Sequence, residues 1–300
     1  MTFAKRIFVF LAINLLIVTT ISIVLSVLNV QPYLTAKGLD MTQLVVFCFI
    51  WGMGGAFISL GLSRIMAKWM MGVRVLDPQK HSLNTSERWL IQEVHAYSRQ
   101  AGLKTMPEVG VYDSPEINAF ATGPTKNRAL VAVSSGLMQR MNEDQIRGVL
   151  AHEVAHIANG DMVTMTLVQG VMNAIVMAVA RIISYAISLN VKEESRPMVN
   201  MISTIVLQIG LSFLAMFAVA YVSRIREYRA DAGGAKLAGR DRMIAALEGL
   251  KQNLRGPQEE REEAHPSLSA LKISSTSKVM ALMSTHPPLE KRIAALRNAR

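Results

Sequence analysis

Cysteine is almost absent: Cys48 is the only one in 300 residues. No disulfide can form within the chain, and no thiolate cluster is available to hold a metal. Charge is scarce too, at 18% of residues against a hydrophobic fraction of 51%, which fits poorly with a fold that meets water on all sides. Aromatic residues make up only 6% and do not interleave with the basic ones, and no internal repeat is present. The excess of Lys and Arg gives a net charge of +10, yet that alone does not make a nucleic-acid face. By segment, residues 1–63 and 64–160 each carry +2, 161–223 carry zero and 224–300 carry +6. The positive charges flank apolar stretches instead: Lys5 and Arg6, Arg64 and Lys68, then Arg224, Arg226 and Arg229.

Four stretches are apolar over lengths that match a bilayer: Ile7–Leu28, Met41–Ser63, Met162–Ala180 and Pro197–Ser223. As a helix the first extends roughly 33 Å, about the hydrocarbon thickness and too long for a cleaved signal peptide. The basic flanks predict a cytoplasmic N-terminus, an external loop over Asn29–Asp40 and a second external turn around Lys192–Pro197. Arg181 interrupts the third run; on a helix extended to Leu189 it sits near the outer end, where it can snorkel, the alternative being a hairpin partly packed on protein rather than lipid. Four regions follow: 1–66 with two spans, 67–160 in the cytoplasm, 161–223 as a hairpin and 224–300 back in the cytoplasm.

In the first cytoplasmic region a helix over 84–101 is expected, capped by Thr85 or Ser86, followed by strands at Glu108–Tyr112 and Ala129–Ser134. Asn142 and Gln145 form a capping-box pair that opens another helix. Arg240–Leu254 patterns as an amphipathic helix, and Gly256–Lys278, acidic and then Ser-rich, as a loop.

The second capped helix carries His152-Glu153-Val154-Ala155-His156. Positions four apart share a helix face, so both imidazoles can meet one metal while Glu153 reaches a bound water as general base. Chance gives this pattern in roughly 0.6% of sequences of this composition, so the match is specific. A catalytic zinc needs a third protein ligand. His81, His95, His265, His286 and downstream carboxylates are open; Glu227 and Asp231, one turn apart, stand out as a ligand and a carboxylate to orient an imidazole. The abundant methionines, 19 of them, suit adaptable packing.

The His152-Glu153-x-x-His156 motif, the Glu227-x-x-x-Asp231 motif some seventy residues later, the apolar hairpin between them and two spans before them resemble the HtpX family. These are bacterial inner-membrane zinc endopeptidases, more distantly similar to the CAAX prenyl proteases. Asn118-Ala119-Phe120-Ala121 and His286-Pro287-Pro288-Leu289-Glu290-Lys291-Arg292 match further family elements. The resemblance implies an α+β fold: a mainly helical integral-membrane protein with about four spans and a cytoplasmic zincin-like (gluzincin) domain containing a small sheet. It implies one Zn2+ per chain on His152, His156 and Glu227, with Asp231 behind them and Glu153 as base. Asn118, Ala119, Phe120 and Ala121 would bind an extended substrate, and His286 and Arg292 would stabilise an oxyanion. The expected substrates are proteins or peptides, mainly membrane proteins, in quality control and stress response at the cytoplasmic face. Two rivals are a processing protease for lipidated peptides and a membrane scaffold or transporter with a non-catalytic zinc. Oligomeric state is not legible.

Overall fold

A computed structural model describes residues 16–17, 19–28, 30, 33–35, 38–79, 83–264 and 284–299. The chain divides into two compact units, one of residues 1–61 and 164–219, the other of residues 62–163 and 220–300.

In the first unit a short hairpin pairs β1 (Leu34–Thr35) with β2 (Gly38–Leu39). Helix α1 (Met41–Met70) crosses α5 (Asp161–Ser188) at Gly52 and Gly170. A Cβ on Gly52 would lie 2.6 Å from the Ala174 nitrogen and 2.7 Å from the Gly170 oxygen, so the backbones touch where side chains would part them. Large apolar side chains point outward along these helices and along α6 (Arg196–Ala238): Phe49, Ile175, Val206 and Leu214 among them. Such a surface suits lipid. Among the described residues, three helices are long and apolar enough to cross a membrane. They correspond to the second, third and fourth expected spans; of Ile7–Leu28, residues 16–17 and 19–27 are helical, and 7–15 and 18 lie outside the described residues. Arg181 does more than snorkel: its guanidinium lies over the rings of Tyr33 and Phe47, at 5.8 and 5.3 Å, and Nε donates to the Tyr33 hydroxyl.

The second unit is built on a four-stranded sheet of order β3-β4-β6-β5, from β3 (Arg74–Leu76), β4 (Glu108–Tyr112), β5 (Ala119–Thr122) and β6 (Leu130–Ser134). β4 and β6 run parallel; β3 and β5 are antiparallel to their neighbours. Every residue of β6 is buried, because period-two alternation gives each face its own cover. Val131 and Val133 face Leu90 and Val94 of α2 (Thr85–Gln100) and Leu150 and Val154 of α4 (Glu143–Asn159). Leu130 and Ala132 pack with Tyr112 and Phe120 on the other side.

The α2 cap is Asn84 rather than Thr85 or Ser86. Its side chain accepts from the Glu87 amide while Glu87 accepts from the Asn84 amide, a reciprocal pair that neither later residue can form. The expected box at Asn142 and Gln145 is present. β6 leads directly into the short helix α3 (Ser135–Arg140). Helix α7 (Arg240–Ala264) runs ten residues beyond the expected end at Leu254, and the rest of the expected loop lies outside the described residues. Met243 and Leu247 of α7 hold Ile293 and Leu296 of α8 (Leu289–Asn298).

Candidate metal and active site

Three elements of the second unit converge. Helix α4 presents His152 and His156 one turn apart, α6 presents Glu227 and Asp231 one turn apart, and α8 brings Arg292. The close approach of α6 to α4 depends on Gly234, where a Cβ would sit 3.1 Å from the His152 nitrogen and 2.8 Å from the Met243 sulfur. Any larger residue pushes against the backbone that carries the first imidazole.

The two imidazole Nε2 atoms lie 3.1 Å apart. His152 Nε2 is 3.5 Å from one Glu227 oxygen and His156 Nε2 is 3.4 Å from the other. Bonds of about 2.0–2.1 Å to a tetrahedral zinc place neighbouring ligand atoms about 3.3–3.4 Å apart, so the spacing fits such an ion. The outer nitrogens agree with this. His152 Nδ1 lies 3.0 Å from Asp231 Oδ1, and His156 Nδ1 lies 2.6 Å from Asp161 Oδ2. Each carboxylate holds the proton on Nδ1 and leaves the Nε2 lone pair facing inward. Two nitrogen lone pairs and a carboxylate, all acceptors, then face one point, which is a donor set for a cation.

Protons can occupy the same space. Burial disfavours the His156 imidazolium, but hydrogen bonds to Asp161 and Glu227 more than offset it and hold the pKa up at about 9. His152 is raised as well: burial opposes its charge, and Asp231 and Glu227 overcome that. Burial likewise works against the charge on Glu227 and Asp231, and here the imidazoles and Arg292 prevail, keeping both carboxyls below their ordinary range.

Arg292 is buried because α8 turns Leu289, Arg292, Ile293 and Leu296, positions one turn apart, toward its partner helices. Nε and Nη2 donate to the two Asp231 oxygens at 2.7 and 2.6 Å, and Nη1 lies 3.2 Å from Glu227 Oε2. His286 stays mostly exposed with Nδ1 2.8 Å from the same Glu227 oxygen.

These groups border a cleft of about 950 Å³ whose lining includes His152, Glu153, Glu227, His286 and Arg292 together with Asn118 and Ala119. Of the four residues expected to bind substrate, Asn118 and Ala119 therefore share a cleft with the candidate metal ligands. Phe120 and Ala121 do not line the cleft: Phe120 stacks on Tyr112 across the sheet, with ring centroids 5.7 Å apart, and Ala121 packs into the core. β5 does form the sheet's last strand, so its outer backbone edge is placed for an extended peptide. His95 is remote, with Nε2 3.1 Å from the Pro107 carbonyl, and His81 and His265 lie outside the described residues.

Asp161 has no counterpart in the sequence reading. The signal for it was Gly160, at φ 72°, which ends α4 in a left-handed turn and lets the next residue start α5 folded back on His156. Loss of a carboxylate that orients a metal-binding imidazole weakens metal binding by about 10–100-fold. Asp161→Asn is expected to lower zinc affinity by that factor in competition with a chromophoric chelator. An unchanged affinity would remove Asp161 from the site.

Residues 84–300 match the model of peptidase family M48. Over 297 residues the chain is 52% identical to a "Protease HtpX homolog" of Bacillus velezensis, covering 98% of this chain and 99% of that relative. It is 49% identical over 299 residues to "Protease HtpX" of Shewanella halifaxensis, again covering 98% and 99%. Among solved structures it resembles S. mikatae Ste24p, with a TM-score of 0.63 at 17% identity over 97% of this chain. The chain spans 64% of the length of that protein, and the likeness is one of fold.

Proposed function

This chain belongs to peptidase family M48 and is a membrane metalloprotease, and from that premise we propose that it works with one zinc ion held by His152, His156 and Glu227. The observation that carries the reading is the triangle of inward-facing acceptors on the wall of a cleft that also holds Glu153. Bound there, zinc polarises a carbonyl and makes water acidic enough to act at neutral pH.

The protein's own residues divide the remaining work. Glu153 takes the proton from the attacking water and passes it to the leaving amine. A structural metal has no use for such a base, which weighs against a scaffold. Asp231 and Asp161 fix the imidazoles, and Arg292 holds Asp231 and Glu227 in place. His286, exposed at the cleft, is the better placed of the two expected oxyanion groups, since two of the Arg292 donors are already engaged by Asp231. Asn118, at the mouth of the edge strand, would bond substrate backbone.

We place the site at the cytoplasmic face of a bacterial inner membrane, with residues 67–160 and 224–300 on that side and the apolar segments of α1, α5 and α6 crossing. The positive flanks support this orientation. The substrates are then membrane or misfolded proteins, and the role is membrane-protein quality control under stress.

The full-length protein in detergent is expected to cleave unfolded casein, to stop when a chelator removes its metal and to recover with zinc at one ion per chain. Cleavage that persists in the metal-free protein would overturn the reading. The pH dependence has a definite sign. The raised His156 pKa stabilises the metal-free protein fully below pH 6.5, and this is lost as the pH rises through about 9. Zinc needs the deprotonated imidazoles, so the rise in thermal midpoint on adding zinc should grow between those two values.

A further inference from the structure

We propose that Arg140 reads a carboxylate of the substrate, on the C-terminal side of the cleaved bond and beyond an apolar side chain that fills the cleft floor. This rests on the proteolytic reading above.

At the inner end of the cleft the carboxylates of Glu227 and Asp231 are met by Arg292 and the His152 imidazole. Arg140 also lines the cleft, is exposed, and has no ion-pair or hydrogen-bond partner among the described residues. It closes the last turn of α3, three residues after Leu137, so the two share a helix face. Leu137 is fully buried on the floor while Arg140 stands at the rim. The rest of the floor is apolar: Val149 lies three residues before His152 on α4, and Met243, Ala246, Leu247 and Leu250 form one face of α7. An apolar pocket beside the metal ligands, edged by a free guanidinium, is complementary to an apolar side chain followed by an anion. A guanidinium grips a carboxylate through two parallel N–H donors, which a neutral amide cannot match.

The direction follows from β5. The cleft meets this edge strand only at Ala119 and along the preceding residues 115–118. An added peptide pairs more stably antiparallel, so its C-terminal half runs past Ala119 toward that segment. Alternate residues of an extended peptide face the same side. If the first residue after the cleaved bond points to the floor, the third points the same way about 6.6 Å further on. Its side-chain carboxylate, or the carboxyl end of a chain that stops there, is the group within reach of Arg140. Glu116, which lines the same cleft in addition to Glu153 and Glu227, makes the opposite preference, for a cation, the natural competing outcome.

The test uses the zinc-loaded full-length protein and two peptide sets with Leu directly after the cleaved bond. The first has an amidated end and carries Glu, Gln or Lys at the third position. The second is uncharged and ends there as the free acid or the amide. A partly exposed pair of this kind contributes up to about 1 kcal/mol, so kcat/KM should favour an anionic member about fivefold over its neutral match. Preference in the first set assigns the anion to a side chain, and in the second to a chain terminus. Arg140→Gln should bring the ratio near one and Arg140→Glu should turn it toward Lys. Equal cleavage within both sets, a preference for Lys by the parent protein, or ratios that neither substitution moves would overturn the role of Arg140 and leave the proteolytic reading intact. Failure to cleave every peptide, and casein as well, would remove both.

Discussion

Glu153→Gln is expected to reduce proteolysis by about 10²–10⁴-fold while the protein keeps its zinc, because the substitution removes a general base and leaves the ligands untouched. Glu153 sits between the two histidines in sequence and lines the cleft, but it is not part of the group of ligand atoms formed by His152, His156 and Glu227. Gln has the same shape and still accepts a hydrogen bond, so water can be held but its proton has no acceptor of suitable basicity. The loss should appear in kcat with little change in KM, as expected for an interaction made in the transition state. Zinc by elemental analysis and the thermal midpoint should match the parent protein. Unchanged turnover would assign the base to another residue. Loss of zinc together with activity would mean that Glu153 helps to hold the metal.

The parts of this site that the sequence discloses are those set by local geometry. His152 and His156 fall on one face because four residues make just over one turn, and their helix is announced by Asn142 and Gln145, which bond each other's backbone. Glu227 and Asp231 follow the same rule. What stays hidden depends on contacts between distant segments. Asp161 reaches His156 only because Gly160 reverses the chain. Arg292 looks like a surface residue until α8 packs on Met243 and Leu247 and turns it inward. The cleft floor combines α3, α4 and α7, none of which carries a motif for it. The boundary expected near Ser223, between an apolar span and a charged segment, marks no break in the backbone. α6 runs on to Ala238, since a change from apolar to charged side chains leaves helix hydrogen bonding intact.

A residue that the sequence reading singles out only through the family resemblance should be among the costliest to remove. In the metal-free protein Arg292→Met is expected to lose about 3–5 kcal/mol of stability, the usual penalty for leaving a buried charge without its partner. Asp231 and Glu227 are each only 2% exposed and both face this guanidinium. Met fills much of the space but returns none of the three contacts. Asp231→Leu alone should cost a comparable amount, because it strands the guanidinium instead. The double substitution should cost less than the sum, since neither member of the Asp231–Arg292 pair is then stranded and only the Arg292 contact of Glu227 stays lost. Acid provides an independent check on the sign. Both carboxyls are held below their ordinary range in the folded protein, so their contribution is fully present above the unfolded values of 3.8 and 4.5 and is lost as the pH falls through the folded ones. The difference in thermal midpoint between parent and Arg292→Met should therefore be widest near neutrality and close on acidification. Penalties that simply add in the double variant, or a gap that ignores pH, would show that the ion pair contributes packing alone. In that case Arg292 could not be what holds Glu227 and Asp231 against the histidines.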